Sequence, residues 1–261
     1  MFEFSSPLLE VYCAFAALQD ERVDPFPDPP SFPLYSEKAW SRTSAPKGAI
    51  TVDGSSTHPG VFRTVQSGVN ALSLNTTTPQ LLFIYPGTYA EQVSIPPLRS
   101  NLTVQGWTPD ARSYTHNTAT ITSALSRLTV PNNDLTATVR NWSPNTRFHN
   151  LNIANTFGHV PVNGQNLALS AHTGNQAYYG VQLWGYQDTL LANTGKQLYA
   201  RSLIVGAIDF IFGQSATAWF DGVDIRTIAR GYITASGRSA ANNPSWYVVS
   251  GSTVDRLNGT V

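Results

Sequence analysis

The sequence predicts an all-β chain, with a parallel β-solenoid favoured over a sandwich or a barrel and one short helix near its start. Three observations carry this reading. About twelve short runs are rich in β-branched and aromatic residues. Gly, Asn, Asp or Pro separates nearly all of them. In the second half, similar segments recur at a nearly constant interval.

Residues 1–47 read as an N-terminal arm or linker, poorly structured. Leu8 to Leu18 is mostly apolar, but Glu10 interrupts it and no basic residue precedes it, so it reads less as a signal peptide than as a short helix or a misplaced start. Pro25 to Pro33 then holds five prolines, too many for a packed element. Residues 48–261 are expected to form the β-domain. Helical spacing is expected only between Val61 and Leu74, where apolar residues fall at positions 62, 65, 69 and 72. The strand-like runs are AITV (49–52), LLFIY (81–85), NLTVQG (101–106), ATITSA (119–124), TATVRNW (136–142), FHNLNIAN (148–155), YGVQLWGY (179–186), QLYARSLIVG (197–206), DFIFG (209–213), AWFDGVDIR (218–226), GYITASG (231–237) and WYVVSGSTV (246–254). Short strands at such intervals suit a sandwich or barrel. Two near-equal intervals favour stacked coils instead: Gln165 to Gln187 (187 − 165 = 22) and Asp188 to Asp209 (209 − 188 = 21).

Composition narrows the function. The 261 residues carry 16 basic and 16 acidic side chains, and charged residues are only 12% of the chain. No global field draws a nucleic acid or a membrane surface, so a polyanion would have to be held by local groups. No apolar run reaches the ~20 residues of a membrane-spanning helix. The single cysteine, Cys13, excludes an internal disulfide. Sequons at Asn75, Asn101, Asn141 and Asn258 favour a secretory route. The five histidines, His58, His116, His149, His159 and His172, show no metal-ligand spacing.

If one coil matches that interval, Asp188 and Asp209 occupy equivalent places on adjacent coils. Neighbouring strands lie ~4.8 Å apart. Two carboxylates at that separation in a partly dry site resist double ionisation, so one keeps its proton while the other ionises. That yields a general acid beside a carboxylate base or nucleophile. The same arithmetic stacks Gln165 over Gln187, two amides able to donate to a developing oxyanion. The ordinary alternative is that Asp188, before Thr189, is a turn residue and Asp209 a plain ladder position.

At these residues the sequence resembles the pectin methylesterases. GYQDTLLANTG (185–195) and IVGAIDFIFGQ (204–214) resemble the two core motifs of that family. GTYAEQV (87–93), NIANTFG (152–158), GQNLALS (164–170) and ITASGR (233–238) resemble further segments in the same order. The likeness runs from about Gly48 to about Val254. It implies a right-handed parallel β-helix with its site in a groove on one face, and hydrolysis of the C6 methyl esters of homogalacturonan to methanol and de-esterified pectin. By the resemblance Asp209 is the nucleophile and Asp188 the general acid and then base. Gln187 and Gln165 hold the oxyanion, and Phe212 packs on the sugar ring. Tyr186, which flanks the acids in the sequence, is expected to bind substrate as well. The resemblance implies pectin as partner, a secreted monomer, and neither a metal nor an organic cofactor. The family's Gly-Arg-Pro-Trp motif has no counterpart before Val261, so the domain is expected to be C-terminally truncated. Two rival readings remain: a catalytically disabled pectin-binding β-helix, and a different β-helix enzyme such as a galacturonan hydrolase or lyase.

Overall fold

A computed structural model describes residues 41–238 and 240–257. Residues 1–40 of the expected arm, Cys13 and the sequon at Asn258 lie outside the described residues. The chain already engages the β-domain ahead of Gly48: Arg42 N donates to Thr108 O at 2.8 Å, and Trp107 Nε1 to Thr43 O at 3.0 Å.

The strands form three parallel sheets of eight, seven and six. The first sheet begins at Ile50–Val52 and Gln80–Ile84 and ends at Trp246–Ser250. The second runs from Gly87–Ala90 to Thr253–Arg256, and the third from Val93–Ile95 to Thr234–Ser236. From Leu102–Gly106 onward the chain visits the sheets in turn, each strand pairing with the one a coil earlier. This is a parallel β-helix, as expected. Strands covered on one face alternate buried and more exposed residues, as in Gln176–Tyr179 and Ser215–Asp221, whereas Leu190–Ala192 and Leu203–Gly206 are buried throughout and give the continuous apolar runs.

The coil length is constant in the second half. Leu169 pairs with Leu190 and Leu190 with Ile211; Gln176 pairs with Gln197 and Gln197 with Ala218; Gln182 pairs with Leu203 and Leu203 with Asp224. Each of these steps equals the Asp188 to Asp209 interval. Like residues therefore stack on like. One inward row is Ile121, Ile153, Leu183, Ile204 and Ile225. Another is a column of rings: Phe148 on Tyr178 at 5.1 Å, Tyr178 on Tyr199 at 5.1 Å, Tyr199 on Phe220 at 4.9 Å, and Tyr247 meeting Phe220 edge-on at 5.7 Å. A buried phenol needs a partner. Tyr178 Oη donates to Gln176 Oε1 at 3.0 Å and Tyr199 Oη to Gln197 Oε1 at 2.7 Å. The glutamines then donate to backbone carbonyls at the coil corner, including Asn141 and Ser143 for Gln176 and Ala171 and Thr173 for Gln197.

The expected helix is present but shorter, Val65–Asn70. Phe62 instead bridges in parallel to Val52, which removes it from the helix. Thr64 caps the N-terminus, its side chain accepting from Ser67 N. The Glu91 carboxylate adds a second cap, accepting from Val65 N at 2.7 Å and Gln66 N at 2.9 Å. The helix is held to the sheet by Gly68, where a Cβ would lie 2.7 Å from Val52 and 2.8 Å from Leu82.

Two sequon asparagines, Asn75 and Asn101, are exposed. Asn141 is buried and donates to Thr146 Oγ1 and Tyr178 Oη, at 2.7 and 3.1 Å, so the folded chain does not present it for modification.

Candidate active site

Asp188 and Asp209 stand at the corner between the second and third sheets. The pairing of Gln187 with Ile208 on one side and of Leu190 with Ile211 on the other puts the two aspartates directly in register. Asp188 N donates to Ile208 O at 3.0 Å. Both residues take the left-handed backbone, with φ of 64° and 51°. That conformation is uncommon outside Gly, Asn and Asp, and its use at both positions turns the two side chains alike.

The corner is shaped by glycines. Gly164, Gly185 and Gly206 recur at the coil interval. At Gly206 a Cβ would lie 2.3 Å from the Phe210 Cβ, and at Gly185 it would lie 2.7 Å from Thr189 Oγ1. Each turn can therefore fold tightly back beneath the carboxylate that follows it.

The same register corrects one expectation. Gln165 does not stack over Gln187, because the coil is one residue shorter than the spacing between the two glutamines. Asn166 does: its backbone N donates to Gln187 O at 3.0 Å, and Gln187 N donates to Asn166 Oδ1 at 2.9 Å. Gln165 falls level with Tyr186, one residue earlier. It is half-buried, and its Oε1 is buried without a hydrogen-bond partner. Asn166 Nδ2 is also buried and unpartnered. The Gln187 amide oxygen faces Gly164, 3.2 Å from where a Cβ would stand there. The amides thus flank the acids, but staggered by one residue.

The acids are set against apolar surface. Leu167 lies level with Asp188 one coil earlier, in a small cluster with Ala137 and Leu191, and Phe212 packs against that cluster. Phe212 pairs with Leu191 on the outer face of the third sheet. Asp188 is only 7% exposed. Burial first, and the charge of Asp209 second, raise its carboxyl from 3.8 to about 7.

Three residues reach the corner that sequence reasoning did not place there. Asn133 Nδ2 donates to Asp188 Oδ2 at 2.8 Å. Its loop is pinned by Thr136 Oγ1 donating to Asn133 O at 2.8 Å, by Leu167 N donating to Thr136 Oγ1 at 3.1 Å, and by Ser170 Oγ donating to Asp134 Oδ1 at 2.7 Å. Asp134 also pairs with Arg140 at 2.6 Å. His159 stacks on Tyr186, ring centroids 4.5 Å apart. Asn166 is the third. The glycine interval could have placed Asn166. Asn133 lies 55 residues from Asp188 on an irregular loop, and no local pattern marks it.

Among the described residues, no group of three or more His, Cys, Asp or Glu side chains is placed to hold a metal ion. The arrangement offers an acid whose carboxyl is raised to about 7, a second carboxylate one coil away and amides at the same corner.

A family model described as Pectinesterase matches residues 49–259. The chain belongs to the pectinesterase family. It is 47% identical over 224 residues to a pectinesterase of Aspergillus niger, covering 85% of this chain and 66% of that protein. Against a pectinesterase of Aspergillus aculeatus it is 47% identical over 228 residues, covering 86% and 67%. The chain thus spans about two thirds of the length of the curated relatives it matches. Among solved structures, the pectin methylesterase from Aspergillus niger superposes with a TM-score of 0.78 at 35% identity, covering 85% of this chain and 71% of that one. The carrot pectin methylesterase, with a TM-score of 0.71 at 24% identity over 82% and 65% of the two chains, shares the fold.

Proposed function

We propose that this chain is a pectinesterase that hydrolyses the C6 methyl esters of homogalacturonan. One observation carries the reading: two aspartates in register on adjacent coils, one held protonated near neutrality by burial and by the other. In the proposed reaction an ionised Asp209 attacks the ester carbonyl carbon and forms a new C–O bond. Negative charge gathers on the carbonyl oxygen, where the Gln187 and Gln165 amides donate N–H groups. As the intermediate collapses, the bond to the methoxy oxygen breaks. Asp188 gives that oxygen its proton and methanol leaves. The acyl group is now an anhydride on Asp209. Asp188, now a carboxylate, takes a proton from water; the hydroxide attacks the acyl carbon and frees the galacturonate and Asp209. Asp188 returns to its protonated state, so the cycle balances.

The asymmetry of the two sites supports this division of roles. Asp188 is the buried acid, held by Asn133, while Asp209 is the more open carboxylate. Phe212 and the stacked pair Tyr186 and His159 offer apolar faces to a sugar ring. Asp188, Asp209, Gln187 and Gln165 all lie on one chain, which supports a monomer as the working unit. A polymeric cell-wall substrate and the exposed sequons at Asn75 and Asn101 support secretion. The test is methanol release from methyl-esterified pectin. The intact chain should release methanol, and Asp209→Asn should abolish release while leaving the far-ultraviolet circular dichroism unchanged. A folded chain that releases none, or an Asp209→Asn variant with the wild-type rate, would overturn the assignment. The first outcome would favour a binding protein without catalysis.

A further inference from the structure

The outer face of the first sheet has a built surface that the esterase reaction does not use. Three rows of side chains point outward there, each set by the strand register. Asn175, Lys196, Thr217 and Trp246 form one; Arg147, Ala177, Leu198 and Trp219 the next; His149, Tyr179, Ala200 and Asp221 the third. Ala177 is the small residue at the middle. The depression above it is a cavity of about 500 Å³, walled by Asn145, Arg147, Asn175, Tyr179 and Lys196.

The chemistry of this hollow is cationic, amide-rich and aromatic. Arg147 and Lys196 are exposed, and among the described residues neither has an ion-pair partner; the three ion pairs there belong to Arg112, Arg140 and Arg226. Asn145 and Asn175 are both left-handed corners, and Asn175 Nδ2 donates to Asn145 Oδ1 at 3.2 Å. Tyr179 stacks on His149 at 4.9 Å, which fixes its ring beside the hollow. His149 sits in a positive field: burial first, then the charges of Arg147, Arg42 and Arg201, lower it to about 4. The acid nearest in register, Asp221, lies two coils beyond Tyr179. Trp219 and Trp246 continue the rows and are 44% and 47% exposed, the only tryptophans among the large apolar side chains that stand this far out of the described surface.

Free cations spaced across coils, amides between them and exposed rings beyond them match a chain of sugar acids. Each ring would stack on an aromatic face and each carboxylate meet a cation or amide. The charge is too sparse for a nucleic acid, whose binding needs a dense cationic field. We propose that this face is a second carbohydrate site that binds de-esterified homogalacturonan. The ligand is the polyanion that the reaction at Asp209 leaves behind, so the proposal rests on the pectinesterase reading. The site would keep the protein on stretches it has already demethylated while the corner at Asp188 and Asp209 works on esterified ones.

The test measures binding of a de-esterified galacturonate oligomer by titration calorimetry, using the intact chain made without N-glycans because Asn101 borders the hollow. Methanol release from a short methyl-esterified oligomer is measured in parallel. The Arg147→Gln, Lys196→Gln double variant should weaken binding by about tenfold, the effect of about 1.4 kcal/mol. Tyr179→Ala should weaken it also, and both variants should release methanol at the wild-type rate. Asp209→Asn should bind the oligomer as wild type does. Unchanged binding in the double variant would overturn the proposal, as would a wild-type chain that does not bind. So would equal binding of dextran sulfate with no effect of Tyr179→Ala, which would mark a mere charge patch. If wild type binds and the face variants weaken binding but no methanol is released, the esterase reading fails and this site stands.

Discussion

Replacing Asp188 by asparagine should stabilise the folded chain in neutral and alkaline solution while leaving it unchanged near pH 4. Asp188 is buried beside Leu167 and faces Asp209, and its carboxyl is raised from 3.8 to about 7. The sign follows from proton counting. Between about pH 4 and 7 the folded chain keeps a proton here that the unfolded chain has lost, so stability falls as pH rises through that window. At about 1.4 kcal/mol per pH unit, the full loss is about 4 kcal/mol, reached above pH 7. Asparagine has the same size, cannot ionise, and can still accept from Asn133 Nδ2. The stability gap between variant and wild type should therefore open from near zero at about pH 4 to about 4 kcal/mol at about pH 8. Urea unfolding followed by circular dichroism across that range, with equal slopes for both proteins, measures it. A gap that does not change with pH, or a variant less stable at pH 8, would refute the account of Asp188 as a carboxyl neutralised by its surroundings.

Other outcomes follow from the same geometry. In the proposed mechanism Asp188 must carry its proton to release methanol, so kcat/KM on methylated pectin should fall above about pH 7 with a slope of one proton. Carboxyl NMR of Asp209→Asn should find Asp188 titrating lower than in wild type but still above 3.8, because burial, the larger cause, remains. Asn133→Ala removes a donor from Asp188 Oδ2; the rate should drop roughly tenfold and its alkaline limb move to higher pH, since a hydrogen bond to a carboxylate favours the ionised form. Phe220→Ala opens a hole in the ring column between Tyr199 and Tyr247 and should destabilise the fold by about 3–5 kcal/mol in urea titration. An unchanged midpoint would show that the column carries no packing energy.

Much of the fold is legible in the sequence because a stacked coil makes its neighbours chemically alike. Residues one interval apart share an environment, so Tyr178 and Tyr199, or Gln176 and Gln197, repeat in type as well as in place. The helix is less legible. Its apolar spacing extends from Phe62 to Leu72, but the parallel bridge from Phe62 to Val52 takes the first of these residues into the sheet. The amides are off by one for a related reason. Counting from glutamine to glutamine overshoots the coil by one residue, whereas strand pairing holds every coil there to the same length and brings Asn166 to Gln187.

The sequence by itself determined the repeating coil, the two aspartates one interval apart and the family, because each is written in local order and spacing. Only the tertiary structure decided which carboxyl loses its water, that Asn133 crosses 55 residues to hold it, and that His159 covers Tyr186. Solvent exclusion and long-range hydrogen bonds depend on where irregular loops come to rest. Loops carry no periodic side-chain pattern, so nothing in their own residues announces that resting place.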